Sequence, residues 1–366
     1  MAKEYNYEMY GQPSLHTLKE RKFNVYFSEP DSGINKDTGI LLLIAGFGGN
    51  ANSNVYKKMR NTFADKYNLV TIQCDYFGWE FMQGANNISL NVNKHQLQRD
   101  FKREEIDYIY RDKDIFPRLM EIVSNNKINL SAKENLKETL DNYNDMGLIQ
   151  AIDNISAVIS VIEVVKDNGH SFNENKIILY GHSHGAYLSY LCNAFAPSMF
   201  SLLIDNSSWL FPVYLKSNRY LNSMYGNSLL SVEFEYLAKT LEYDEEILFL
   251  PSLYEKLENQ CEVICYHGTN DNLISYKDKV VLNEIIKKFR YNEIDNDKVD
   301  NKVFKSTQHG LGADFLELFD YTINNYDFEF KNTGNKQNAN VTYKTRKNKY
   351  LVDYSSIVPV LHLERK

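Results

Sequence analysis

The amino-acid sequence predicts an α/β protein built on a mainly parallel central sheet flanked by helices. Three observations carry that expectation. A continuous apolar run at residues 40–44 reads as a strand buried on both faces, and 69–74 and 176–180 are further strand-like runs. Segments with helical spacing alternate with them, as in Ile149, Ile152, Ile155, Val158, Ile159, Ile162 and Val165. Glycine-bearing turns follow the carboxyl ends of the first and third runs, where open α/β sheets place their ligands.

Taken in order, residues 5–10 and 22–28 are two opening β-like runs, and the turn-rich stretch 29–33 closes the second. The run at 40–44 leads into Ala45-Gly46-Phe47-Gly48-Gly49-Asn50, then a helix is expected near 55–67 and a strand at 69–74. From about 80 to 143 charge and asparagine dominate. Helical patterns appear there without strong strands, as in an insertion over the sheet. The sheet rhythm resumes with a helix at 146–166, a strand at 176–180, a turn at 181–185 and a helix at 186–196 stopped by Pro197. Further strands are expected at 201–205, 261–267 and 302–305. The aromatic-rich stretch 206–260 lacks sheet rhythm and reads as a second insertion forming a lid or cap. One domain over 1–330 is therefore expected, followed by a basic C-terminal extension, 331–366, whose apolar end at 357–361 should dock.

Composition narrows the function classes. The 366 residues include 27 Tyr and 20 Phe, too much apolar surface for disorder, and no internal repeat is evident. Lys and Arg number 41 against 48 Asp and Glu, a net charge of −7 that argues against a nucleic-acid binder. No uninterrupted apolar run approaches the length of a membrane span, so none is expected. The first residues lack the apolar stretch of a signal peptide. Cys74, Cys192, Cys261 and Cys265 lie in apolar segments and read as buried free thiols, which with the missing leader points to the cytoplasm.

The sharpest chemical signal is Gly181-His182-Ser183-His184-Gly185, a G-x-S-x-G pattern between an apolar strand and a helix. At such an elbow the serine takes a strained backbone position, and small residues two before and two after it let strand and helix approach. The helix N-terminus turns its free N–H groups toward developing negative charge. A serine needs a base and an orienting acid, and both follow in the order Ser, acid, His. Asp271 falls in the loop after the strand at 261–267, and His309 in the loop after 302–305.

With these anchors the sequence resembles the α/β-hydrolase superfamily over about residues 22–330. The resemblance implies Ser183 as nucleophile, His309 as general base and then acid, and Asp271 as the group orienting His309. It implies an oxyanion hole from the backbone N–H of His184 and a second N–H at Phe47 or Gly48. The loop Gly46-Phe47-Gly48-Gly49 departs from the His-Gly-Gly-Gly form of many lipases, so the second donor stays open between those two. Asp205, ending the strand before, is an alternative acid, or a cap for the turn into Asn206-Ser207-Ser208; the loop His267-Gly268-Thr269-Asn270-Asp271 favours Asp271. The chain also looks like an uncharacterised bacterial family often associated with flagellin glycosylation. That resemblance implies an acyl substrate carried on a modified sugar or glycan.

His182 and His184 form an H-x-H pair like the last metal motif of calcineurin-like phosphoesterases, but the upstream ligand motifs are missing. Ala186 and Tyr187 replace the Asp-His continuation of metallo-β-lactamases, so no metal or organic cofactor is expected. The glycines at 46–49 lack the Gly-Lys-Ser/Thr ending of a phosphate loop. His16, His95, His170, His267 and His362 carry no motif, though His267 should brace the acid loop. Trp79, Trp209, Tyr76 and Phe77 follow strand ends and are read as either pocket lining or core. The expected activity is serine-dependent cleavage of an ester or related acyl bond. An acyltransferase, peptidase or thioesterase would use the same triad, and an inactive hydrolase-like scaffold is the non-enzymatic alternative.

Overall fold

The computed structural model describes residues 1–90, 97–98, 101–111, 115–328, 330 and 339–366. His95 and residues 331–338 lie outside them. Two compact units emerge, one of Met1–Met82, Leu140–Pro212 and Tyr243–Lys366, the other of Gln83–Thr139 and Val213–Glu242.

The strands in chain order are β1 (Lys3–Gly11), β2 (Arg21–Glu29), β3 (Gly39–Ile44), β4 (Leu69–Cys74), β5 (Ile88–Leu90), β6 (Asn129–Glu134), β7 (Ile177–His182) and β8 (Leu202–Asn206). They continue with β9 (Arg219–Tyr225), β10 (Ser228–Phe234), β11 (Glu262–Gly268), β12 (Phe289–Ile294), β13 (Val341–Lys344), β14 (Asn348–Asp353) and β15 (Val360–Arg365). The larger unit is organised by an eight-stranded sheet in the order β1-β2-β4-β3-β7-β8-β11-β12. Only β1–β2 and β2–β4 pair antiparallel, and every later pairing is parallel. β3 and β4 are buried along their whole length; β3 is an unbroken apolar run, whereas β4 also buries Thr71 and Gln73, the latter accepting from Arg60 at 2.7 Å.

By length and composition alone helix Leu148–Asp167 is apolar enough to cross a membrane, although polar residues interrupt its apolar run. In this fold 72% of its apolar window is buried, as in the core helix of a globular unit. All four cysteines are free and buried.

The C-terminal segment folds as the antiparallel sheet β13-β14-β15 within the larger unit. Tyr343 and Tyr354 donate their hydroxyls to the carbonyls of Ala194 and Phe195 at 2.7 and 2.9 Å. The Gln12 amide exchanges hydrogen bonds with both backbone groups of Leu361, which is buried, whereas Ile357 is exposed.

Two sequence expectations need correction. Residues 302–305 are not a strand: Asp300 and Asn301 donate to the Phe304 carbonyl in a turn that plugs Val303 and Phe304 into the core. The last strand of the large sheet is instead β12, whose edge position leaves it only part-buried and gives it no apolar run. The insertions are also not purely helical, because the smaller unit holds a four-stranded sheet, β5-β6-β10-β9, beside helices Arg103–Ile109 and Ile115–Ser124. Its β9–β10 hairpin turns at Gly226-Asn227, with Gly226 at φ 58°, a Gly-Asn turn signal available in the sequence.

Candidate active site

Ser183 stands between β7 and helix His184–Phe195 with φ 54° and ψ −121°, a left-handed backbone that a serine holds only at a cost of about 1–3 kcal/mol. The surrounding contacts fix it there. Its N–H donates to the Asn206 carbonyl at 2.8 Å. A Cβ on Gly181 would lie 2.3 Å from the Gly185 carbonyl carbon, and one on Gly185 would lie 2.1 Å from the Ile44 carbonyl oxygen. Both glycines are therefore required by close backbone approach, as the motif reading expected.

Three polar side chains from three loops meet at this elbow. Ser183 Oγ lies 2.8 Å from His309 Nε2, and His309 Nδ1 lies 2.8 Å from Asp271 Oδ2. The His309 side chain is 23% exposed, Ser183 is part-exposed and the Asp271 side chain is fully buried, so solvent reaches the chain from the Ser183–His309 end. Asp271 Oδ1 accepts the N–H groups of Leu273 and Ile274 at 2.8 and 2.9 Å. Burial alone would raise the Asp271 pKa, but the His309 bond and charge, together with those two amides, hold it below the ordinary carboxylate value. With Nδ1–H donated to a fixed carboxylate, His309 Nε2 is left as an acceptor for the serine proton.

Asp205, the alternative acid, is held elsewhere. Its Oδ2 accepts from Lys279 Nζ at 3.0 Å and from Tyr190 and Ser208 hydroxyls at 2.9 Å, while Oδ1 accepts the Ser208 amide at 2.8 Å. Asp205 and Lys279 side chains are both fully buried. Burial opposes ionisation of Asp205, but the Lys279 charge together with hydrogen bonds from the Ser208 amide and from Lys279 itself outweighs it, holding the carboxyl below its usual pKa. Nothing in the sequence pointed to Lys279, which sits on the polar-looking helix Lys277–Ile285.

The flanking histidines part company. His182 stacks on Phe315 at 3.6 Å and meets the Tyr180 hydroxyl at 3.1 Å. His184 is fully buried and meets Gln150 Oε1 at 2.7 Å. Burial lowers both pKa values to about 3. Among the described residues no cluster of three or more His, Cys, Asp or Glu is placed to hold a metal. His267 lies behind the acid, its Nε2 3.0 Å from the Ile274 carbonyl and 3.4 Å from Asp271 Oδ2. Burial, and secondly the Lys279 charge, lower its pKa to about 4.

His184 and His267 give a testable pH dependence. Unfolded, each takes a proton as pH falls through about 6.5; folded, they resist it until about 3 and 4. Between those limits the unfolded state binds more protons, so stability falls as pH is lowered, on the order of 1.4 kcal/mol per pH unit for each group. Urea unfolding at about pH 7 and about pH 5 should show the lower midpoint at the acid value. Equal midpoints would contradict the buried neutral state.

The loop after β3 packs onto the elbow: a Cβ on Gly46 would lie 2.7 Å from the His182 carbonyl oxygen and 3.5 Å from the His184 nitrogen. Gly48 donates its N–H to the Met82 carbonyl at 2.9 Å, which engages one of the two amides expected as a second oxyanion donor. The Phe47 ring lies 5.3 Å from His184 and 6.0 Å from Trp209. Trp209 is buried against His184, whereas Tyr76 and Phe77 are core, the Tyr76 hydroxyl donating to the Ala45 carbonyl at 2.7 Å.

A family model described as a protein of unknown function, DUF2920, matches residues 15–356. The chain belongs to the DUF2920 family. Among solved structures this DUF2920 chain is similar to an acylaminoacyl peptidase from Pyrococcus horikoshii, with 8% identity and a TM-score of 0.50 over 92% of this chain and 43% of that one. It is also similar to Est1E from Butyrivibrio proteoclasticus, solved with ferulic acid bound, at 15% identity and TM-score 0.43 over 82% of this chain and 92% of that one. A third is the peroxisomal α/β-hydrolase Lpx1 of Saccharomyces cerevisiae, at 13% identity and TM-score 0.44 over 88% and 87%. No curated protein sequence matches the chain. With the sheet order above, the likeness to the acylaminoacyl peptidase shows an α/β-hydrolase fold for this DUF2920 member.

Proposed function

We propose that this DUF2920 protein is a serine hydrolase that cleaves a carboxylester or related acyl bond through an acyl-enzyme. One observation carries the reading: Ser183 Oγ, His309 and Asp271 form a continuous hydrogen-bonded chain at a strained elbow. In the first half-reaction His309 Nε2 takes the Ser183 proton as Oγ bonds to the acyl carbon. His309 then gives that proton to the leaving oxygen as the ester C–O bond breaks. In the second half-reaction water gives a proton to His309 as its oxygen bonds to the acyl carbon, and His309 then returns that proton to Ser183 Oγ as the acyl C–Oγ bond breaks and the acid departs. The oxyanion would be met by the His184 N–H at the helix start and by the Phe47 N–H. No metal or organic cofactor enters these steps.

The family resemblance read from the sequence supports an acyl group on a modified sugar or glycan as the substrate class. A panel of simple aryl esters and acylated sugars, with released acid and alcohol both quantified, tests the proposal. Equimolar acid and alcohol support hydrolysis, and acyl product accumulating on an added hydroxyl acceptor would make the protein a transferase. Absence of turnover and of covalent labelling in folded protein would leave the scaffold reading.

A further inference from the structure

The loop carrying His309 is conformationally costly. Gly310, Leu311 and Gly312 follow one another at φ 72°, 62° and 58°, and Leu311, a residue disfavoured there, is fully buried. A run of three left-handed residues holds one geometry only if neighbouring contacts over-determine it. Leu311 donates its N–H to the Gln308 carbonyl and accepts the Lys305 and Ser306 amides, and a second set of contacts converges on Gly310, the residue directly after His309.

Gly310 N–H donates to Ser207 Oγ at 3.1 Å, the Ser207 hydroxyl donates to Asn206 Oδ1 at 2.9 Å, and Asn206 Nδ2 donates to the Gly310 carbonyl at 3.1 Å. The three bonds close a ring that grips both peptide groups of one residue. A closed ring of hydrogen bonds polarises around its circuit and resists rotation of any member. The ring is anchored as well. The Asn206 carbonyl accepts the Ser183 amide at 2.8 Å, and Ser207 N–H donates to the Tyr266 carbonyl at 3.0 Å. Asn206 and Ser207 are fully buried, and Ser207 itself holds φ 62°. Ser208, next along, is pinned by the Asp205–Lys279 pair.

We infer that Asn206 and Ser207 are positioning residues that set the His309 imidazole against Ser183, a role that rests on the serine-hydrolase reading. One backbone segment holds the nucleophile through its carbonyl and the loop of the base through its two side chains. The separation of the reacting pair is thus referred to a single rigid strap at the end of β8. Asn206 Nδ2 also faces the His182 ring at 3.3 Å, so the strap spans both flanks of the elbow.

The test compares wild type with Asn206→Ala, Ser207→Ala and the double variant, each verified by thermal melting. Ser207→Gly, which removes the same hydroxyl while relieving the positive φ, replaces Ser207→Ala if that variant is unstable. Fluorophosphonate labelling should slow about tenfold in each single variant and on the order of 10²-fold in the double, with KM for an ester little changed. In a His309→Ala background the same substitutions should alter residual labelling less than about twofold, because a residue acting only through His309 has nothing left to act on. Unchanged rates, or an equal loss without His309, would overturn the inference. A second readout is independent of turnover: the far-downfield proton shared by His309 and Asp271 should be sharp in wild type and broadened or lost in the strap variants. Wild type without labelling or turnover would sink the hydrolase reading, while that proton would still decide whether the strap fixes His309. Its persistence unchanged in the double variant would overturn the strap.

Discussion

Ser183→Ala should abolish covalent labelling by a fluorophosphonate and lower ester turnover by on the order of 10⁶-fold, with the fold intact. The attacking atom is lost, whereas the backbone contacts that hold the elbow are untouched: the amide still reaches the Asn206 carbonyl, and Gly181 and Gly185 still pack as before. Alanine is as strained as serine at φ 54°, so the melting temperature should scarcely move. Ser183→Gly removes the same hydroxyl and relieves the strain, and should raise stability by about 1 kcal/mol while being equally inactive. Such opposite movement of stability and activity at one position separates a nucleophile from a structural serine. His309→Ala combined with Ser183→Ala should cost little more than either alone, since the two act as one unit. Labelling of Ser183→Ala at the wild-type rate would place the reactive group elsewhere and end the proposal.

What the sequence disclosed, and what it withheld, follows from which interactions leave a local trace. β3 and β7 were legible because a strand covered on both faces is largely apolar, β4 less sharply because Thr71 and Gln73 interrupt it, and the G-x-S-x-G turn because close backbone approach admits only glycine at its flanks. β12 and β6 escaped because an edge or half-covered strand is satisfied by weaker alternation, such as Leu130 and Ala132 pointing inward between exposed residues. The displacement of the strand before His309 did not disturb the expected place of His309. Its loop is held by Gly310 and Leu311 contacts, among them the Lys305 amide on the Leu311 carbonyl, and these need no strand ladder at residues 302–305. Lys279 and Gln150 were invisible for a different reason. Their roles exist only through partners more than thirty residues away, and no spacing rule connects a lysine on a polar-looking helix to Asp205.

Asp205 and Asp271 both end a strand–loop connection beside the elbow, and their replacement by asparagine should produce opposite phenotypes. In Asp271→Asn the side-chain oxygen can still accept the Leu273 and Ile274 amides, which leaves the NH₂ group facing His309 Nδ1. The imidazole must then carry its proton on Nε2, where it cannot take the serine proton. Turnover should fall by on the order of 10⁴-fold with the fold preserved. In Asp205→Asn the group lost is the counter-charge of Lys279, which sits fully buried and, among the described residues, has Ser208 as its other side-chain hydrogen-bond partner. An uncompensated buried ammonium should cost about 3–5 kcal/mol of stability. The His309–Asp271 bond is not directly broken by that change, so the molecules that remain folded should label far faster than Asp271→Asn. Chemical denaturation measures the first quantity, and labelling normalised to the folded fraction measures the second. If Asp205→Asn were the silent fold and the dead enzyme, and Asp271→Asn the reverse, the acid would be Asp205 and the hydrogen-bond chain drawn here would be the wrong one. The buried Asp205–Lys279 pair opposes that outcome: a carboxylate already neutralised by an ammonium 3.0 Å away has little charge left with which to stabilise an imidazolium.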